Sequence, residues 1–340
     1  MTAGRFQEIV GQYPKLSIAV VGDFCLDRYL EIDPAKSEVS LETGLPVHNV
    51  VNVRAQPGGA GTVLNNLSAL GVHKIFPVGF CGDDGEGYEL RRALAAWKGV
   101  QLDHFFNTSE RSTFTYCKPL VIEVGKPPRE LNRLDQKNWT ATPDAVVGRL
   151  CKAVLALVKH VDAFAILSQV DQPETGVVTL GMLKTIGQIA KEQPEKVIVA
   201  DSRHGLRGFP PVIFKMNAAE LASLSGSPVT SDLEKITDAA RDVAQRNNRQ
   251  VFITLAERGI VGVSPDGQTA HMPTFPVRGE IDIVGAGDAV MANLTAAVAA
   301  GANTREAIEL ANAAASIVIH QLGTTGTAAL PQLRELVGRG

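Results

Sequence analysis

Asp282-Ile283-Val284-Gly285-Ala286-Gly287-Asp288 closes an extended run and opens a helix of small residues over 289–300. If the helix begins near Gly285, the backbone N–H groups of Gly285, Ala286 and Gly287 have no intrahelical partner. They then point outward beside the carboxylate of Asp288. Donors at a helix start stabilise developing negative charge, and an adjacent carboxylate can take a proton. This arrangement suits the movement of a phosphoryl group onto a hydroxyl. A tight turn followed by an acidic helix cap would use the same residues. The rest of the chain decides between the two.

The 340 residues carry a formal net charge of −3, with 45% hydrophobic and 20% charged residues, as in ordinary soluble globular chains. That length allows one large α/β domain or two smaller ones. The near-neutral charge, the lack of a long basic run and an aromatic content of 5% argue against a nucleic-acid partner. No charge-free apolar stretch reaches membrane-spanning length. The start, Met1-Thr2-Ala3-Gly4-Arg5-Phe6, lacks the apolar core of a signal peptide, so a cytoplasmic location is expected. Cys25, Cys81, Cys117 and Cys151 are far apart and form no Cys-x-x-Cys pair, which reads as reduced thiols.

Strand and helix patterns alternate, which predicts an α/β fold around a mainly parallel sheet. Strands are expected at 16–21, 74–78, 163–167, 197–200, 212–215 and 251–255. Helices are expected at 58–70, 84–97, 144–158, 176–191, 231–245, 286–300 and 305–320. Segments 28–54 and 111–135 alternate like strands, yet no helix directly follows either. They are read as antiparallel strands outside the main sheet, forming a lid that excludes water when substrate binds.

These residues resemble the ribokinase-like, or PfkB-type, carbohydrate kinases over almost the whole chain. Val20-Val21-Gly22-Asp23-Phe24-Cys25-Leu26-Asp27 is similar to that family's first strand and its sugar-contacting acids. Pro57-Gly58-Gly59-Ala60-Gly61-Thr62-Val63-Leu64-Asn65-Asn66 resembles its first signature, and the stretch from Asp282 to Asp288 resembles its second, more specific one. The resemblance implies one ribokinase-like three-layer α/β/α domain over 1–340, with the small β lid inserted in it. Within the family, Gly22-Asp23-Phe24-Cys25-Leu26-Asp27-Arg28-Tyr29, Asn132-Arg133-Leu134-Asp135 and His271-Met272-Pro273-Thr274 are most similar to D-glycero-β-D-manno-heptose-7-phosphate kinases. Those enzymes are often fused to a nucleotidyltransferase; here the kinase activity alone is expected. The chain departs from their pattern at Ile283, at Ser168-Gln169-Val170-Asp171 and at Asp201-Ser202-Arg203, all on the expected acceptor side.

The resemblance implies ATP and Mg²⁺ as cofactors, and K⁺ as in many relatives. Asp288 is expected to act as general base, with the Gly285, Ala286 and Gly287 amides as anion hole. Asp23, Asp27, Gly58, Gly59, Asn65, Arg133 and Arg203 are expected on the sugar side; the two arginines suit an acceptor that already carries phosphate. Asn217, Glu220, Thr254, Glu257, Gly259, Asn312 and Ser316 are expected on the nucleotide side, with Glu220 near magnesium through water. Asn217 and Glu220 also fit a plain capping box. Asp282, Gly323 and Thr327 are the candidate monovalent-cation ligands, and a homodimer through the lid is the expected assembly. A Rossmann dehydrogenase would need Gly-x-Gly-x-x-Gly after the first strand, and a P-loop kinase Gly-x-x-x-x-Gly-Lys-Ser/Thr; neither run is present. A sugar- or nucleotide-binding protein without catalysis, or a kinase of fructose, ribose, a keto-deoxy sugar acid or a nucleoside, uses the same fold.

Overall fold

The computed structural model describes residues 1–337. Its main sheet has nine strands, in the spatial order Thr269–Met272, Ile260–Val263, Val251–Thr254, Ile213–Asn217, Val197–Ser202, Ala163–Ser168, Ser17–Gly22, Lys74–Gly82, Phe105–Thr108. All pairings from Val251–Thr254 to Phe105–Thr108 are parallel, and the last two strands at the other edge run antiparallel. Strands rich in Val, Ile, Phe and Ala, buried on both faces, are what a covered parallel sheet requires.

Alternation along the strands sends side chains into two cores. Ile18 and Val20 join one with the helices Ala60–Ala69, Ala286–Ala299 and Thr304–Val318, while Ala19 and Val21 join the other with Asp144–Leu157, Leu180–Glu192 and Leu233–Asn247. The result is an α/β/α sandwich. From Ser17–Gly22 the chain first builds the sheet toward Phe105–Thr108, then returns to the other side of that strand with Ala163–Ser168. The order therefore reverses between these two strands, and the crevice beyond their carboxyl ends is where open α/β sheets place ligands.

A separate five-stranded sheet stands over that crevice, built from Phe24–Ile32, Val50–Gly59, Phe114–Val121, Arg129–Glu130 and Leu134–Gln136. Its boundaries differ from those expected. The first strand begins at Phe24, directly after the main-sheet strand, and the second runs to Gly59, so the following helix starts at Ala60 and not at Gly58. The expected all-antiparallel pairing holds for Phe24–Ile32 with Val50–Gly59. It fails for Phe24–Ile32 with Phe114–Val121, which are parallel from Cys25↔Phe114 to Ile32↔Val121. Both of these strands leave the main sheet in the same direction, so the long connection between them allows a parallel pair. No helix among the described residues is long and apolar enough to cross a membrane.

Candidate active site

The helix Ala286–Ala299 starts at the floor of the crevice. Its N-cap, Gly285, has φ 82°, a left-handed conformation that glycine adopts without strain. The turn bends the chain so that the first amides of the helix open onto the cleft. Of the three expected donors, Ala286 already gives its N–H to the Ile283 carbonyl at 3.2 Å.

Asp288 sits in the first turn, half-buried at the cleft floor. Burial pushes its carboxyl up to about 7; Lys215 and Arg203 oppose that rise, whereas Asp201 and Asp27 add to it. A carboxylate tuned to that range serves as a base near neutral pH. Behind it lies a buried ion pair, Lys215 Nζ to Asp201 Oδ2 at 2.5 Å.

The cleft above Asp288 encloses about 360 Å³ and is lined from both body and lid. Four cationic side chains border it: Lys118, Arg133, Lys137 and Arg203. Lys118 pairs with Asp27 at 3.1 Å and lies over the Tyr29 ring. Arg133 pairs with Asp135 at 2.9 Å and lies 5.0 Å from the Tyr116 ring centroid. Asp171 ties the lid side to the body, accepting from Lys137 at 2.6 Å and from Arg203 at 3.1 Å. The Lys137 hydrogen bond comes first in holding the Asp171 carboxyl below the usual carboxylate range.

The other expected acceptor residues fall into two groups. Asp27 and Gly59 line the cleft. Asp23 lines it too, but its carboxylate is engaged by a loop: Oδ2 accepts from the Gln169 and Val170 amides at 2.7 and 3.2 Å, and Oδ1 from Val177 at 2.7 Å. Asp23 thus fixes the segment that carries Asp171. Gly58 and Asn65 are not among the lining residues. Gly58 is needed behind the cleft wall, because a Cβ there would lie 2.5 Å from Asp27 Oδ2. The neighbouring Asn66 is fully buried and holds the C-terminal segment, donating to Gly326 O at 3.3 Å and accepting from Ala328 N at 3.3 Å.

Of the residues expected on the nucleotide side, Asn217 and Glu220 form the capping box: Glu220 N donates to Asn217 Oδ1 at 2.9 Å and Asn217 N to Glu220 Oε2 at 2.7 Å. Glu220 Oε1 has no hydrogen bond among the described residues, which leaves one oxygen for a hydrated metal. No cluster of three potential metal-ligating His, Cys, Asp or Glu residues occurs among the described residues. Thr254 ends its strand with its hydroxyl 3.4 Å from Met216 O, and Gly259 closes the short turn that carries Glu257. Asn312 donates to Pro273 O at 2.7 Å, and the Ser316 carbonyl receives His320 Nδ1 at 2.6 Å. Asp282 is close to Gly323, accepting its amide at 3.2 Å, while the Thr327 carbonyl accepts from Gln321 at 2.7 Å.

Sequence reading missed Lys118, Lys137, Lys215, Asp171 and Asp201 as parts of one cluster. Lys215 had a visible signal: a lone charge in the apolar run Val212-Ile213-Phe214-Lys215-Met216. Lys118 and Lys137 carry no comparable signal, because strand pairing in the lid alone brings them to the cleft.

Residues 15–331 match the family model of the pfkB family carbohydrate kinases. The chain is 31% identical over 312 residues to the bifunctional protein HldE of Azorhizobium caulinodans, covering 90% of this chain and 61% of that protein. It spans 61 to 66% of the length of the curated relatives it matches. A ribokinase from Arabidopsis thaliana complexed with ribose and ATP superposes with TM-score 0.63 at 19% identity, over 93% of this chain and 95% of that one. Phosphofructokinase-2 from Escherichia coli in complex with fructose-6-phosphate gives 0.67 at 17% identity, over 94% and 97%. These two show the same ribokinase-like fold. With the sequence match covering nearly its whole length and a carboxylate at the helix start facing a lidded cleft, the chain belongs to the pfkB family of carbohydrate kinases.

Proposed function

We propose that the protein transfers the terminal phosphoryl group of ATP to a hydroxyl of a sugar that already carries a phosphate. The observation that carries this reading is the gathering of Lys118, Arg133, Lys137 and Arg203 around the cleft whose floor is Asp288. Each of the four is paired with Asp27, Asp135 or Asp171, and a phosphate dianion can take the place of these carboxylates through charge-assisted contacts. The heptose-kinase resemblance and the similarity to HldE proteins support heptose 7-phosphate as the acceptor.

In the reaction, Asp288 takes the proton of the acceptor hydroxyl as its oxygen bonds to phosphorus. The bond from phosphorus to the β–γ bridging oxygen breaks, and ADP leaves with that electron pair. Gly285 and Gly287 amides at the helix start face the charge on the transferred group. Gly59, Asp27 and the lid orient the sugar and exclude water. Magnesium, when bound with ATP, neutralises phosphate charge; Glu220 would hold it through water by its second oxygen. Asn217, Thr254, Glu257, Gly259, Asn312 and Ser316 are assigned to ATP. Potassium would sit at Asp282, at backbone carbonyl oxygen near Gly323 and at the Thr327 hydroxyl, which activity with and without K⁺ measures. Exposed Val50, Val51 and Val53 on one lid strand support a homodimer through the lid, and the cytoplasm is the proposed location. ATP turnover with paired phosphorylated and unphosphorylated sugars tests the proposal; use of the unphosphorylated members alone would overturn it.

A further inference from the structure

Lys215 is the only charged residue in the strand Ile213–Asn217, and its side chain lies on the same face as Ile213, toward the helix Ala286–Ala299. Lys215 and its partner Asp201 are each only 7% exposed. A buried ion pair is a poor source of stability, because desolvating both charges offsets most of their attraction. Its place in the fold suggests another use. A methyl group added to Gly287 would lie 3.4 Å from Lys215 Nζ, so the ammonium lies beside the first turn of the helix whose N-terminal amides lack intrahelical partners. Asp288 is close enough for the two charges to act on one another. Burial works against the Lys215 charge, yet Asp201 and Asp288 together keep its affinity for protons above the ordinary value.

We propose that Lys215 contacts the terminal phosphoryl group of ATP as that group passes to the acceptor, and that Asp201 is the positioning residue holding the ammonium in place. This rests on the kinase reading above. The bonds made and broken are those already described: Lys215 keeps its protons throughout, and the acceptor proton goes to Asp288. The ammonium supplies a full positive charge where the helix start offers only partial ones. Asp201 fixes the flexible lysine stem before ATP arrives, so less ordering remains at the moment of transfer.

The test compares ATP and ADP binding, with Mg²⁺ present, in the parent, Lys215→Met, Lys215→Arg and the double variant Asp201→Asn/Lys215→Met. Lys215→Met should bind ATP about tenfold more weakly while ADP stays within about twofold, because only ATP carries the group that meets the ammonium. Its kcat should fall about 10²–10³-fold with acceptor KM little changed, the loss typical of removing one transition-state donor. Lys215→Arg should recover part of both effects. The double variant leaves no orphaned buried carboxylate, so it folds where the single variant fails, and it should show the same selective loss of ATP binding. Equal weakening of ATP and ADP, or parent-like discrimination in both Met variants, would overturn the assignment. If the parent phosphorylates no sugar yet the Met variants lose ATP over ADP, the sugar-kinase reading fails and the Lys215 contact stands.

Discussion

Asp288→Asn separates chemistry from stability in opposite directions. The substitution keeps size and removes the basic carboxylate, so kcat should fall about 10²–10⁴-fold with ATP binding retained. The same change should stabilise the fold above neutral pH. Burial raises the Asp288 carboxyl to about 7 from its ordinary 3.8. The folded state therefore binds more protons at this group than the unfolded state, and the parent loses stability as pH rises from about 4 to 7. The full shift corresponds to roughly 4 kcal/mol, but the side chain is partly open to solvent, so about 1–2 kcal/mol is the expected size. For a chain of 340 residues that is about 1–3 °C in Tm. The assay is thermal unfolding of parent and variant at pH 4.5 and pH 8, beside turnover at pH 8. The difference should be near zero at the lower pH and favour the variant at the higher one. A variant less stable than the parent at pH 8, or one turning over within threefold of it, would refute the reasoning.

Further outcomes follow from the same geometry. Because Asp288 must be ionised to accept a proton, kcat should drop about tenfold per pH unit below about 7, and a flat profile between pH 5.5 and 8 would remove the base. Arg133→Ala or Arg203→Ala should raise KM for a sugar phosphate by about tenfold or more, spare ATP binding and leave an unphosphorylated sugar much less affected; steady-state kinetics with both acceptors decides it. Saturating sugar phosphate should slow hydrogen exchange in 28–54 and 111–135 more than in the core strand Ala163–Ser168, and equal protection everywhere would leave the small sheet as mere decoration. Asp23→Ala should lower stability by about 2 kcal/mol or more, read from denaturant unfolding, since three loop amides lose their acceptor.

What the sequence disclosed and what it withheld follow from range. The turn and helix start at Gly285 to Asp288 could be read directly, because the left-handed glycine, the first helical turn and its carboxylate lie within four consecutive residues. The alternation of strands and helices gave the central sheet, and the two unpartnered strand patterns marked the lid. Lys215 and Asp201 were harder, since their meeting depends on register between neighbouring strands, Val199 opposite Ile213. The cation cluster depends on the parallel pairing of Phe24–Ile32 with Phe114–Val121, which a pattern of alternation cannot specify. Asp23 was expected to face sugar; its carboxylate clamps the loop at residues 169–177, a contact across about 150 residues of chain that no local signal encodes. Asn65 and Asn66 differ by one position, a rotation of about 100° on the helix, and the inward one spends its amide on the C-terminal segment. Asn217 and Glu220 were readable as a capping box, and that is the arrangement present.

Phosphoryl transfer from ATP to a sugar phosphate is the reaction proposed for the cleft above Asp288. The most direct measurement is ³¹P NMR of the products formed from ATP and heptose 7-phosphate, with the unphosphorylated heptose alongside. ADP and a sugar bisphosphate are expected from the phosphorylated acceptor, formed much faster than any product from the other. ATP left intact with every sugar phosphate offered, or a sugar monophosphate made only from the unphosphorylated acceptor, would contradict it.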